Sequence, residues 1–202
     1  MKKTTAILSA LVAGASISSA EELSVSTTFA WESSYVFRGV QFAEEFFAPA
    51  VDISYGGAYF GIWAALPVDA IANEVDYYGG YGFGLSETVS LDLGFTYYTF
   101  PDSGDDFFDD VNTFEIYAGT SFETVLSPSI YVYYDFDLET LTLEGSVGHS
   151  FEVSETSSFD LSGFLGYVEP DGGMDYTYYG VGASYNMAIN DAVGFSLYGN
   201  WS

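Results

Sequence analysis

The chain has 202 residues with no Cys, three Lys or Arg against 29 Asp or Glu, and a formal charge of −26. Lack of thiols excludes disulfides and thiolate metal sites, and the acidity argues against nucleic acid, whose phosphates need Lys and Arg. Aromatic residues are 19% of the chain, too many for a sequence kept disordered by its charge.

Residues 1–20, MKKTTAILSALVAGASISSA, have the three parts of a secretory signal. Lys2 and Lys3 form a positive start, 6–17 an apolar core, and 18–20 a small-residue cleavage site. Export and cleavage after Ala20 are expected, with a single domain spanning 21–202. Arg38 is then the only Lys or Arg left. No later apolar run approaches the ~18 residues of a membrane helix. An exported chain rich in Tyr, Phe, Gly and acids fits an outer-membrane β-barrel, with a soluble β-sandwich as the alternative.

Alternation decides between them, because a strand sends successive side chains to opposite faces. From Leu23, one face reads Leu23, Val25, Thr27, Phe29, Trp31, Ser33, Tyr35, Phe37. The other reads Ser24, Ser26, Thr28, Ala30, Glu32, Ser34, Val36, Arg38. The phase lasts about sixteen residues, beyond the usual length of a soluble strand. Ten segments repeat this apolar/polar rhythm, ending with Val193, Phe195, Leu197 and Trp201. An eleventh, YFGIWAAL over 59–66, is apolar on both faces and its phase cannot be assigned. No Asp or Glu falls on the apolar face of the alternating segments. The polar face is rich in Gly, Ser and Tyr rather than Lys and Arg, which favours the membrane barrel.

Short connectors are expected at 56–57, 84–87, 123–125, 154–156 and 189–191. Longer ones are expected at 42–48, 67–72, 101–110 and 169–174, as when short periplasmic turns alternate with outer loops. Within the third long connector, Asp102, Asp105, Asp106, Asp109 and Asp110 lack the order of a calcium loop. They are expected to collect divalent cations loosely at most. Eleven strands sit awkwardly with the even numbers of bacterial barrels, so the expectation is an all-β, antiparallel transmembrane β-barrel of about 10–12 strands.

The stretches SSYVFRG, PAVDISY, GAYFGIWA, EVDYYGGYG and LGFTYYTFP, within the first hundred or so residues, together resemble the TorF-type putative porins of bacterial outer membranes. The family's Tyr-aromatic-Arg-Gly step matches Tyr35, Phe37, Arg38 and Gly39; its Tyr-Tyr-x-x-Pro step matches Tyr97, Tyr98 and Pro101. The resemblance implies an outer-membrane barrel and a pore, but not the solute. The chain departs from such barrels by ending Asn200-Trp201-Ser202 rather than in an aromatic residue. With the odd strand count, this raises the expectation of a shortened C-terminus.

If the apolar face meets lipid, Glu32, Arg38, Asp52, Glu74, Asp76, Asp92, Glu115, Glu144 and Asp160 face the interior. Such carboxylates attract cations and repel anions in a confined channel, so the expected function is passive diffusion of small solutes or ions with cation preference. Tyrosines such as Tyr78, Tyr98, Tyr117 and Tyr131 could instead fill the interior of a structural or adhesion barrel. Catalysis is not expected. The one histidine, His149, and the adjacent Ser150 point to opposite faces of a strand. No cofactor is expected either: Gly79-Gly80 and Gly172-Gly173 lack a phosphate-binding Lys. Arg38 is expected opposite Ala50 across a hairpin through 42–48, paired diagonally with Asp52.

Overall fold

In the computed structural model, which describes residues 23–68, 72–101 and 111–202, the chain is built from thirteen strands. They are β1 (Leu23–Glu32), β2 (Tyr35–Phe37), β3 (Val40–Ala43), β4 (Phe46–Tyr55), β5 (Ala58–Pro67), β6 (Glu74–Gly84) and β7 (Val89–Thr99). They continue as β8 (Thr113–Phe122), β9 (Ser129–Asp135), β10 (Thr140–Ser154), β11 (Ser157–Pro170), β12 (Tyr176–Asn190) and β13 (Val193–Trp201). Eleven form one sheet in the order β1-β4-β5-β6-β7-β8-β9-β10-β11-β12-β13, while β2 and β3 pair only with each other. Every ladder in the sheet is antiparallel. Ten of the eleven sheet strands fall on the alternating segments of the sequence, and β5 falls on the doubly apolar 59–66. The expected signal segment, 1–20, and the acidic connector carrying Asp102, Asp105, Asp106, Asp109 and Asp110 lie outside the described residues.

The two faces are the reverse of a water-soluble core. On β8, Thr113, Glu115 and Tyr117 are buried while Phe114 and Ile116 are exposed. On β12, Tyr178, Gly180 and Gly182 are buried while Tyr179 and Val181 are exposed. Glu115 is 1% exposed and Leu165 is 61% exposed. The sheet curves around its polar face. No ladder joins β1 to β13 among the described residues, so the sheet is not closed. With eleven strands of alternating direction, these two edge strands run the same way.

The first long segment corrects the expectation for Arg38. β1 stops at Glu32, and β4 pairs back onto it with Glu32 opposite Phe46 and Thr28 opposite Ala50. Between them, residues 33–45 leave the sheet and carry the β2–β3 hairpin. Its turn places Arg38 at φ 48° and Gly39 at φ 80°, the two successive positive values of a tight primed turn. Asp52 therefore sits opposite Ser26 on β1, with Arg38 nowhere near it in register. Period-2 patterning reports an extended backbone, not its pairing partner, so the phase ran on where the chain had left the sheet.

The hairpin folds to the inside. Tyr35, Phe46, Ala48 and Ala65 form a small buried apolar cluster, with Ala30, Phe37, Ala43 and Trp63 packed against it. The Tyr35 ring contacts Phe46 and Trp63 at centroid distances of 5.3 and 5.6 Å. This explains YFGIWAAL: on β5, Trp63 and Ala65 share the inner face with Tyr59 and Gly61, and they meet the hairpin.

Candidate functional site

The carboxylates named from the sequence share the polar face of the sheet, and the partner expected for Arg38, Asp52, is not the one it meets. Arg38 reaches across the interior to Glu115 on β8, its Nη1 and Nη2 donating to the two carboxylate oxygens at 2.6 and 2.9 Å. The guanidinium lies 4.6 Å from the ring centroids of both Phe37 and Tyr133. Burial alone would weaken its charge; Glu115 outweighs that and raises Arg38 above the ordinary guanidinium value. Tyr98 donates a further bond to Glu115 at 3.1 Å. At the hairpin tip, a Cβ on Gly39 would collide with Tyr178 of β12, so the turn is pressed against the far wall. The hairpin thus bears on β7, β8, β9 and β12.

Asp52, Asp92 and Glu144 follow a repeated construction that no single residue reveals. A tyrosine lies flat across a glycine on the next strand, and its hydroxyl reaches one strand further. Tyr78 on β6 covers Gly61 on β5 and donates to Asp52 on β4. Tyr59 on β5 covers Gly80 on β6 and donates to Asp92 on β7 at 2.9 Å. Tyr131 on β9 covers Gly119 on β8 and donates to the other oxygen of Asp92 at 3.3 Å. Tyr178 on β12 covers Gly166 on β11 and donates to Glu144 on β10 at 2.6 Å. Tyr117 covers Gly94, and its hydroxyl meets that of Tyr59 at 2.5 Å. In each case a glycine Cβ would overlap the ring, so glycine is what lets the tyrosine lie down. The rings line the wall and carry their hydroxyls along it.

Glu74 and Asp76 lie side by side against Tyr35, both buried, with Asp76 Oδ1 lacking a hydrogen-bond partner. Glu32 is 2% exposed and neither of its oxygens is bonded. Tyr198 of β13 interacts with it electrostatically, but no bond of sound geometry joins the two. Asp160 has a different setting, described by its neighbours Ser150, Ser184 and Asn186, which donate to it at 2.5, 3.5 and 2.6 Å. His149 and Ser150 diverge: the imidazole contacts the Val125 carbonyl at 2.6 Å and the Phe151 ring, while the hydroxyl turns to Asp160.

Sequence reasoning missed the inward hairpin and the tyrosine-on-glycine supports. The first left one trace, the doubly apolar β5. The second left Tyr and Gly directly opposite on neighbouring strands, as at Gly61 and Tyr78 or Gly119 and Tyr131. Recognising these pairs requires the register. A family model for bacterial proteins of unknown function, Gcw_chp, matches residues 15–199. No curated protein and no solved structure gives a match.

Proposed function

This chain belongs to the Gcw_chp family of bacterial proteins, and we propose that it is an outer-membrane β-barrel that passes small cations by diffusion. The observation that carries this reading is the reversal of its faces. Phe29, Trp31, Leu165 and Leu197 are each more than 60% exposed, while Glu32, Glu74, Asp76 and Glu115 are buried inside. A soluble monomer does not expose apolar side chains from one end of a sheet to the other, whereas lipid requires it. Strands of 9 to 15 residues at most positions match the thickness to be crossed. The resemblance to TorF-type porins agrees with this reading.

Lipid also demands that every backbone group be paired, so an embedded sheet must close by joining β1 to β13. Both run in the same direction, which makes that seam parallel.

The interior sets what can pass. Its one guanidinium is consumed by Glu115, which leaves the other carboxylates without a cationic partner among the described side chains. The tyrosines that donate to Asp52, Asp92 and Glu144 are neutral, so they cancel no charge on these carboxylates, and a negative wall favours cations. Because the rings lie flat on glycines, they narrow the lumen less than rings pointing at its axis. The hairpin is the main obstruction, and it favours a second reading, a filled structural barrel.

Planar-bilayer recording of the refolded chain in a KCl gradient separates them. A small conductance with a cation-selective reversal potential is expected, and no swelling of vesicles in sugars. Anion selectivity would overturn the transport reading, and a silent bilayer would leave the filled barrel.

A further inference from the structure

The interior has two unlike walls. From β4 to β9 it is covered by tyrosines lying on glycines, and the hairpin rests against β7, β8 and β9, touching β12 only at its tip, where Gly39 meets Tyr178. From β10 to β13, toward the end with short turns, it carries small polar residues: Ser150, Ser158, Ser162, Ser184, Asn186, Ser196 and Asp160. Ser150, Ser162 and Ser196 are exposed there, in contrast to buried Glu74, Asp76 and Glu115. Gly182 makes space beside them, because a Cβ would strike Asn200 and the Ser162 hydroxyl. A shallow, open depression at this end has Ser158, Asn186 and Ser196 on its lining, with Asp160 beyond it along the wall. The geometry points to this wall as the solute path, with Asp160 the residue that holds a small monovalent cation on it. The inference rests on the transport reading above and names the site within it.

The hydrogen bonds around Asp160 select the class of ion. A carboxylate has about four lone-pair sites. One oxygen accepts from Ser150, and the other accepts from Asn186 and from Ser184. Asn186 is itself fixed by Ser196, whose hydroxyl donates to the amide oxygen at 2.7 Å. Asp160 is therefore rigidly aimed and keeps roughly one free acceptor position. That suits one contact to an alkali ion or to a primary ammonium group, with serine oxygens completing the shell. A divalent ion asks for several charged oxygens. No three His, Asp or Glu side chains converge on such a point among the described residues. Asp52 and Asp92 on the opposite wall, and Glu144 on this one, face the lumen through tyrosine hydroxyls, whereas no aromatic hydroxyl is bonded to Asp160.

The natural chain has no Cys, so one introduced thiol reports its own surroundings. Ser162→Cys in the refolded full chain is to be labelled with a cationic and an anionic methanethiosulfonate of equal size. The cationic reagent is expected to react roughly tenfold faster, as one nearby charge in a partly screened lumen dictates. Adding Asp160→Asn should bring the two rates together, and Thr96→Cys on the tyrosine wall should react slowly with both. Methylammonium should slow the cationic reagent more than magnesium at equal ionic strength. Equal rates before Asp160→Asn, a preference that survives it, faster labelling at Thr96→Cys, or stronger competition by magnesium would overturn the assignment. Labelling does not require conduction. A silent bilayer with the rate preference intact therefore sinks the transport reading and the path, leaving Asp160 as a cation site, and conduction without the preference sinks this assignment alone.

Discussion

Arg38 and Glu115 stand 77 positions apart and close a two-bond ion pair across the sheet interior. The pair fastens a hairpin whose strands have only three and four residues, too short to hold itself in place. Its turn also puts a non-glycine residue, Arg38, at positive φ, a conformation that costs about 1–2 kcal/mol. The side-chain contacts of Arg38 must offset that cost.

Arg38→Gln should therefore lower stability by about 3–5 kcal/mol, because Glu115 is left buried and unpaired. Urea unfolding of the refolded protein, read by heat-modified gel mobility, measures it. The double variant Arg38→Gln/Glu115→Gln should recover much of the loss. Conductance should rise in both as the hairpin loosens. Unchanged stability in the single variant would deny the hairpin its fastening.

Gly119→Ala should cost about 1–3 kcal/mol, since Tyr131 must be pushed off the wall and away from Asp92. The control is Gly148→Ala on the same inner face, where the nearest atom to a new Cβ is the Leu161 carbonyl oxygen at 3.5 Å. It should be neutral or slightly stabilising, because alanine restricts the unfolded chain. Equal effects at the two glycines would refute the tyrosine-on-glycine support.

The proposed parallel seam is testable through Glu32 on β1 and Tyr198 on β13, edge-strand side chains that interact electrostatically. In a chain without natural Cys, Glu32→Cys/Tyr198→Cys should be joined by a short bis-thiol reagent in lipid. The joined form should resist the shift in gel mobility that heating brings. Glu32→Cys/Asp92→Cys, with its second thiol on β7, should not be joined. Failure of the first pair to link would leave β1 and β13 as open edges.

How much of this was legible beforehand depended on distance along the chain. Alternation is a local property, so the strands and the inward direction of Glu115 or Asp160 could be read from neighbouring residues. Pairing across the interior is not local. Nothing in SSYVFRG says that its guanidinium meets a carboxylate on β8, and the nearest acid in an assumed hairpin, Asp52, was the wrong partner. The same holds for the tyrosines. Their inward direction was plain, but whether a ring projects or lies flat depends on a glycine on the adjacent strand, and only the ladder register supplies it. The doubly apolar β5 was the one local sign of the hairpin, because an inner face packed on apolar residues must itself be apolar.

Leu143→Arg tests the environment of the outer face most directly. Leu143 on β10 is 48% exposed and lies opposite Val132 of β9, which is 41% exposed. In water, an arginine at so open a position would change stability by no more than about 0.5 kcal/mol. In the middle of a bilayer it should cost about 2–4 kcal/mol. The comparison uses reversible unfolding in lipid vesicles, with Thr142→Ser on the inner face as a reference for handling. Replacement by Arg near the short-turn end, at Val193, should cost less, because the side chain can reach the headgroups. A steep loss at Leu143 with a shallow one at Val193 traces the depth of an apolar slab. A flat, near-zero response at both positions would place the apolar face against something other than lipid.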